Sequence, residues 1–204
     1  MQTINKKDNV SLLASFGINT PNISLDDTST ISSLEVVRFV PKRRCVCKAL
    51  WQGEAVYAKL FFGDKAAQYA LRDVRGVESL QKAKILTPKI LKQSNLPQVK
   101  AYVVIFEGIT PSDSAEDVWE SANEFVRVEL AHQLIKVVAH HHEARLLQTD
   151  MYLKNFLIQY DAIYTIDGDG VRSVDKLSIK KAQANLCQLL SKLDVLTIDS
   201  QLPS

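Results

Sequence analysis

The chain has 204 residues, 46% of them apolar and 24% charged, and carries a formal net charge of +2. That balance excludes a disordered or fibrous protein and is enough to bury a substantial core, as one domain or as two lobes sharing a cleft. A net charge so near zero gives no whole-protein argument for nucleic acid, which is not expected as a partner.

Residues 1–33 read as an N-terminal extension, a short apolar piece from Val10 to Phe16 followed by a polar loop run, SLDDTSTISS. From Leu34 the pattern changes: LEVVRFV, RRCVCKALW and EAVYAKLFF are β-prone runs separated by Pro41-Lys42 and Gln52-Gly53, which predicts a three-stranded antiparallel meander. Next, Ala70, Val74, Val77 and Leu80 recur at helical spacing, and Thr87-Pro88 closes that helix. A short strand around Lys89 to Leu91 and a stronger one at AYVVIF complete five strands with one helix over residues 34–107. Glu107-Gly108 breaks the pattern and is a candidate hinge.

Residues 108–204 begin with PSDSAEDVWE, rich in N-cap residue types, and continue into a long amphipathic segment, ANEFVRVELAHQLIKVVAHHH. Phe125, Val128, Leu134, Val137 and Val138 are its expected apolar face. NFLIQY and AIYTI flank Asp161-Ala162 and predict a hairpin. A last amphipathic helix is expected from Lys176 to about Leu193, with the tail TIDSQLPS fraying.

The longest apolar runs, such as Ala101 to Phe106, fall far short of the roughly 20 residues that cross a bilayer. The start, MQTINKKDNV, lacks a secretory apolar core, so a cytosolic protein is expected. Cys45 and Cys47 are expected on opposite faces of a strand, with Cys187 far away, so neither a disulfide framework nor a zinc site is predicted. The run His140-His141-His142 diverges around a helix and does not converge on one ion; His142 is expected beneath the loop at Asp150.

Four residues carry the chemistry. Lys59, in VYAKLF, has apolar or aromatic neighbours on both sides, unusual for a solvent-facing lysine; phosphoryl transfer needs such a cation on nucleotide phosphates, held by an acid from the next helix. In LLQTDMYLKNFLI, Asp150 and Asn155 have the D-x-x-x-x-N spacing of a kinase catalytic loop. A carboxylate there can accept a hydroxyl proton, and an amide oxygen five residues on can ligate Mg²⁺. Asp167, before Gly168, supplies an anionic oxygen for the same hard cation; Asp169 reads as a turn residue.

The order strand-lysine, helix, break, long helix, Asp-loop-Asn, hairpin, Asp-Gly over about residues 34 to 172 resembles the protein-kinase-like fold. HEARLLQTDMYLKNFLI and RGVESLQKAKILTPKIL resemble the lipopolysaccharide kinases, the group containing Kdo and core-heptose kinases. The resemblance implies an α+β, two-lobed protein, with a β-rich N-lobe over 34–107 and a reduced helical C-lobe over 108–204. It implies ATP and Mg²⁺ as cofactors, Lys59 on the phosphates, Asp73 or Glu78 as its acidic partner, and adenine beside the backbone of Phe106 and Glu107. Asn155 and Asp167 would be the metal ligands and Asp150 the catalytic carboxylate. The acceptor implied is a hydroxyl of a sugar or glycolipid of the lipopolysaccharide core, met at the cytoplasmic face of the inner membrane. There Lys82, Lys84, Lys89, Lys92 and the PKRR turn could touch anionic headgroups. The chain departs from this group in three ways: Gln148 stands where a His is usual, PKRR replaces a Gly-rich turn, and Asp73 is shorter than the usual Glu. A pseudokinase and a small-molecule phosphotransferase of the same fold are the alternatives.

Overall fold

Backbone pairing, rather than residue preference alone, sets where the strands of the first half begin and end. The computed structural model describes residues 6–25 and 28–193. They form an α+β protein of two units: one runs to Val74 and resumes over Pro88–Gly108, and the other comprises Arg75–Thr87 and the chain from Ile109 onward. Among the described residues no helix is long and apolar enough to cross a membrane.

In the first unit, α1 (Lys6–Ser15) is followed by β1 (Ile23–Ser24), β2 (Thr30–Val40), β3 (Arg44–Trp51) and β4 (Glu54–Phe62), then by α2 (Ala66–Lys82), whose residues from Arg75 on belong to the second unit. β5 (Ile90–Leu96) and β6 (Ala101–Glu107) complete an antiparallel sheet in the order β1-β2-β3-β4-β6-β5. The expected meander is β2 to β4. Its second turn has Gln52 and Gly53 both at positive φ, 53° and 84°, the backbone that a two-residue hairpin turn demands.

The run SLDDTSTISS, expected as loop, instead contributes Ser24 to β1 and Thr30–Ser33 to β2. Pairing with β3 holds these polar residues extended, and a register shift between Ser32 and Glu35, with Ser33 at φ 55°, blurs the alternation that sequence reading relies on. Similarly β5 runs to Leu96 rather than stopping at Leu91, because β6 supplies partners along its whole length.

Alternation sends Cys45, Cys47, Val56, Ala58, Leu60, Val103 and Ile105 into one core, which Leu13, Phe16, Ile18 and Ile23 also enter. Phe16 stacks on Phe62 with ring centroids 4.4 Å apart. The segment before Leu34 is therefore part of this unit's core. Cys45 and Cys47 were expected on opposite faces; residues two apart on a strand share a face, and their thiols lie 3.5 Å apart and buried.

The second unit adds β7 (Asp113–Ser114), α3 (Ala115–Ser121), α4 (Glu124–Glu143), β8 (Leu146–Gln148), β9 (Phe156–Gln159), β10 (Ala162–Thr165), β11 (Val171–Ser173) and α5 (Ile179–Leu190). The long segment expected from Ala122 is α4, and PSDSAEDVWE before it supplies a separate helix, α3; each has its own cap: the Ser114 hydroxyl accepts from Asp117 N at 3.1 Å, and the Asn123 amide oxygen accepts from Val126 N at 3.0 Å. The buried stripe of α4 is Leu130, Ala131, Leu134, Val138 and His141. Phe125 and Val128, expected on that face, are exposed. The predicted hairpin is β9–β10, to which β7 adds a third strand, and β8 pairs with β11, a ladder the sequence did not announce. α5 starts at its cap, Ser178, and the expected fraying of TIDSQLPS lies outside the described residues.

His141 is fully buried on α4, its Nε2 3.2 Å from Thr165 Oγ1 and its Nδ1 unbonded among the described residues. Burial, with smaller contributions from His142 and His140, pushes its imidazole down to about 4. The folded state then binds fewer protons than the unfolded chain, so stability is full above the ordinary histidine value of 6.5 and is lost as pH falls toward 4. Urea unfolding at pH 7.5, 6.0 and 5.0 should show a loss, relative to His141→Gln, that reaches about 2 kcal/mol at pH 5.0. Parallel pH profiles for the two proteins would refute it.

Candidate functional site

Asp73 lies on the buried stripe of α2 defined by Ala70, Val74, Val77 and Leu80, and is itself 0% exposed. A carboxylate there needs a cation. Lys59 supplies it from β4, on the sheet face opposite the core that α1 enters, with Nζ donating to Asp73 Oδ1 at 3.1 Å and Oδ2 at 3.0 Å. The ammonium also lies 5.0 Å from the centre of the Phe106 ring. Lys59 is thus the buried lysine that the sequence suggested, and its partner is Asp73. Glu78, the alternative, is corrected: it is exposed, five residues beyond Asp73 on the same helix.

Phe106 and Glu107 end β6. The Glu107 side chain turns toward β5: its Oε2 accepts from Lys89 N at 3.2 Å and its Oε1 lies 3.7 Å from Lys89 Nζ. Gly108 follows because a Cβ there would sit 2.4 Å from the Ala55 carbonyl oxygen. The break read at Glu107-Gly108 is also where the first unit ends. In the PKRR turn, Lys42 takes a left-handed conformation with φ 57°, and the Arg43 guanidinium lies 4.6 Å from the centre of the Tyr69 ring.

In the second unit, Asp150, Asn155 and Asp167 are brought together by hydrogen bonds between their loops. Asn155 Nδ2 donates to the Asp150 carbonyl at 3.0 Å, and Ile166 N donates to the Asn155 carbonyl at 2.9 Å. Gln148 Nε2 donates to the Asp167 carbonyl at 3.3 Å. The β8–β11 ladder continues past Gln148, with Thr149 N donating to the Gly170 carbonyl at 2.8 Å. Asn155 is fully buried; its amide is oriented by the bond to Asp150, which leaves Oδ1 buried and unbonded among the described residues. Asp167 is 6% exposed at the start of a 3₁₀ turn, Gly168–Gly170.

Two contacts here escaped sequence reading. Gln148, noted as a departure, is the residue that ties the Asp150 segment to Asp167. Gly76 lets α2 approach the turn after Asp167 so closely that a Cβ would lie 1.9 Å from the Gly168 carbonyl oxygen. A glycine isolated inside a helical pattern was the available signal. His142, expected beneath the Asp150 loop, instead holds Asn185 Oδ1 through Nε2 at 3.0 Å, and Asn185 Nδ2 donates to the Gln148 carbonyl at 2.7 Å.

Among the described residues no three His, Cys, Asp or Glu side chains are grouped to hold a metal unaided. The fit of Asn155 and Asp167 is to an ion such as Mg²⁺, which keeps waters and substrate phosphates as its other ligands. No protein-family model matches the chain, and no curated protein matches it.

Lys59→Met should lower stability by about 3–5 kcal/mol by removing the cation bound to the buried Asp73 carboxylate, and Lys59→Met with Asp73→Leu should recover most of that loss. Urea unfolding of both variants measures it. Gly76→Ala, which would stabilise an ordinary helix by about 1 kcal/mol, should instead cost about 1–3 kcal/mol through overpacking against Gly168. A raised unfolding midpoint for Gly76→Ala would contradict that close approach.

Proposed function

We propose that this chain is a phosphotransferase domain of protein-kinase-like architecture, using ATP and Mg²⁺ to phosphorylate a sugar hydroxyl, with the lipopolysaccharide core as the acceptor class. The observation that carries this reading is Oδ1 of Asn155, buried and unbonded among the described residues, on an amide whose Nδ2 donates to the Asp150 carbonyl and whose backbone carbonyl accepts from Ile166 N, next to Asp167. An amide oxygen left in that state is costly unless it ligates something. A divalent cation is the ligand that an amide oxygen and a carboxylate share.

The assigned roles are those that the resemblance implies, and each is chemically compatible with its residue. In the first unit, Asp73 fixes the Lys59 ammonium, which binds nucleotide phosphate, and the backbone at Phe106 and Glu107 takes the adenine. In the second, Asn155 and Asp167 would hold Mg²⁺, whose contribution is to neutralise phosphate charge. Asp150 orients the acceptor hydroxyl and accepts its proton. Catalysis of this kind is positioning and electrostatics, with little covalent work for the protein. A lipopolysaccharide acceptor puts the domain at the cytoplasmic face of the inner membrane, peripherally bound.

Titration with ATP and Mg²⁺ should raise stability by roughly 2–3 kcal/mol at a ligand concentration about a hundredfold above its dissociation constant, and Lys59→Ala should weaken that binding. Asp150→Asn should keep nucleotide binding yet lower transfer by about two orders of magnitude or more. Asp167→Asn should impair Mg²⁺-dependent binding and transfer together, since a neutral amide is the poorer ligand. Transfer to core oligosaccharide that survives Asp150→Asn at the wild-type rate would remove Asp150 from the mechanism. Tight ATP-Mg²⁺ binding without transfer to any acceptor would make the chain a pseudokinase.

A further inference from the structure

The cysteines of β3 play no part in the chemistry described above. Cys45 and Cys47, two of the chain's three cysteines, share the face of β3 that enters the core with α1; both are 0% exposed, and their sulfurs lie 3.5 Å apart. Cys187 is exposed, on α5 in the other unit. An oxidant that reaches either buried sulfur therefore leaves it in contact with a second thiol, the arrangement that turns oxidation into a bridge rather than an oxygenated thiol.

Between the two, Val46 belongs to the opposite face, directly across the ladder from Lys59. Two strand rises separate alternate α-carbons by about 6.4–6.8 Å, the upper end of the span that a disulfide bridges. Closing a bridge here draws the two α-carbons together and puckers β3 at Val46. The ladder on the other side of β3 already departs from regular pairing at this point: β2 shifts register between Val36, the partner of Cys47, and Arg38, the partner of Val46.

We propose that Cys45 and Cys47 are an oxidative modification site, closed by a peroxide into an intrastrand disulfide that displaces the backbone opposite Lys59. One thiol takes an oxygen from hydrogen peroxide, giving a sulfenic acid and water. The other sulfur then attacks it, the S–O bond breaks, and the hydroxyl leaves with the thiol proton as a second water. Two electrons and two protons thus pass from the thiols to one peroxide. The hydrogen bond with Cys45, then burial, holds the Cys47 thiol well above the ordinary thiol range, so closure is slow and the exposed Cys187 reacts first. A bridge strained by its strand is also readily reduced. The site itself stands apart from the phosphotransferase reading; its regulatory consequence, weaker ATP binding through displacement of Lys59, rests on that reading.

The test treats the Cys187→Ser protein with excess hydrogen peroxide overnight, denatures it, blocks free thiols with N-ethylmaleimide and digests it with trypsin. The peptide Cys45–Lys48 should emerge unblocked and lighter by a pair of hydrogens, and dithiothreitol should return both blockable thiols. Exchange of the Val46 and Lys59 amides, followed by NMR, should become about tenfold faster in the oxidised protein, while peroxide should leave the Lys59 rate unchanged in Cys47→Ala with Cys187→Ser. The proposal is overturned if both thiols survive a treatment that fully oxidises Cys187 in the wild type, if the peptide gains oxygen instead of losing hydrogen, or if the two amides keep their rates. Titration with ATP and Mg²⁺ separates this idea from the phosphotransferase reading. Binding about tenfold weaker after oxidation and recovered with dithiothreitol supports both. A bridge that forms in a protein binding no ATP in either state removes the phosphotransferase reading and keeps the site, whereas equal ATP affinity in the two states removes the regulatory consequence.

Discussion

A carboxylate on the apolar stripe of a helix constrains the first unit more than any other feature. Asp73 is wholly buried, and an unpaired charge there would cost more than the rest of the helix face returns. The partner must reach it from the neighbouring strand with two good hydrogen bonds, which Lys59 does from the middle of β4. The register of the sheet then places Val104 opposite Lys59 and Phe106 near its ammonium, while the alternate residues Ala58 and Leu60 enter the core shared with α1. One ion pair thus accounts for the apolar surroundings that made this lysine conspicuous.

In the second unit the corresponding organisation is made of amides. The loops carrying Asp150, Asn155 and Asp167 are short and irregular, so their backbone groups find partners outside any long ladder. Asn155 and Gln148 each donate to a carbonyl of a neighbouring loop, and glycine allows the closest approaches: Gly76 against Gly168, and Gly170 within 3.1 Å of the Gln148 amide if a Cβ were added. Behind them Asn185 joins the Gln148 carbonyl to His142, and so links α5, β8 and α4.

Much of this was legible in the amino-acid sequence. The meander, the helix after it, the break at Glu107-Gly108, the hairpin and the last helix follow from strict alternation, 3.6-residue spacing and turn residues, which are local properties of the chain. Lys59, Asp150, Asn155 and Asp167 stood out for the same reason: residue type and short-range spacing single them out before any fold is known. Tertiary structure decided the rest, because pairing and burial depend on residues distant in the chain. Ser24 and Thr30 became strand because they pair with each other, Ser32 because it pairs with Leu50 of β3, and packing of α4 buried Leu130 and Leu134 while leaving Phe125 in water. Asp73 rather than Glu78 met Lys59 because burial of that helix face left one carboxylate without water and the other in it. Gln148 looked like a defect in a motif, and only the loop packed beside it showed what its amide holds.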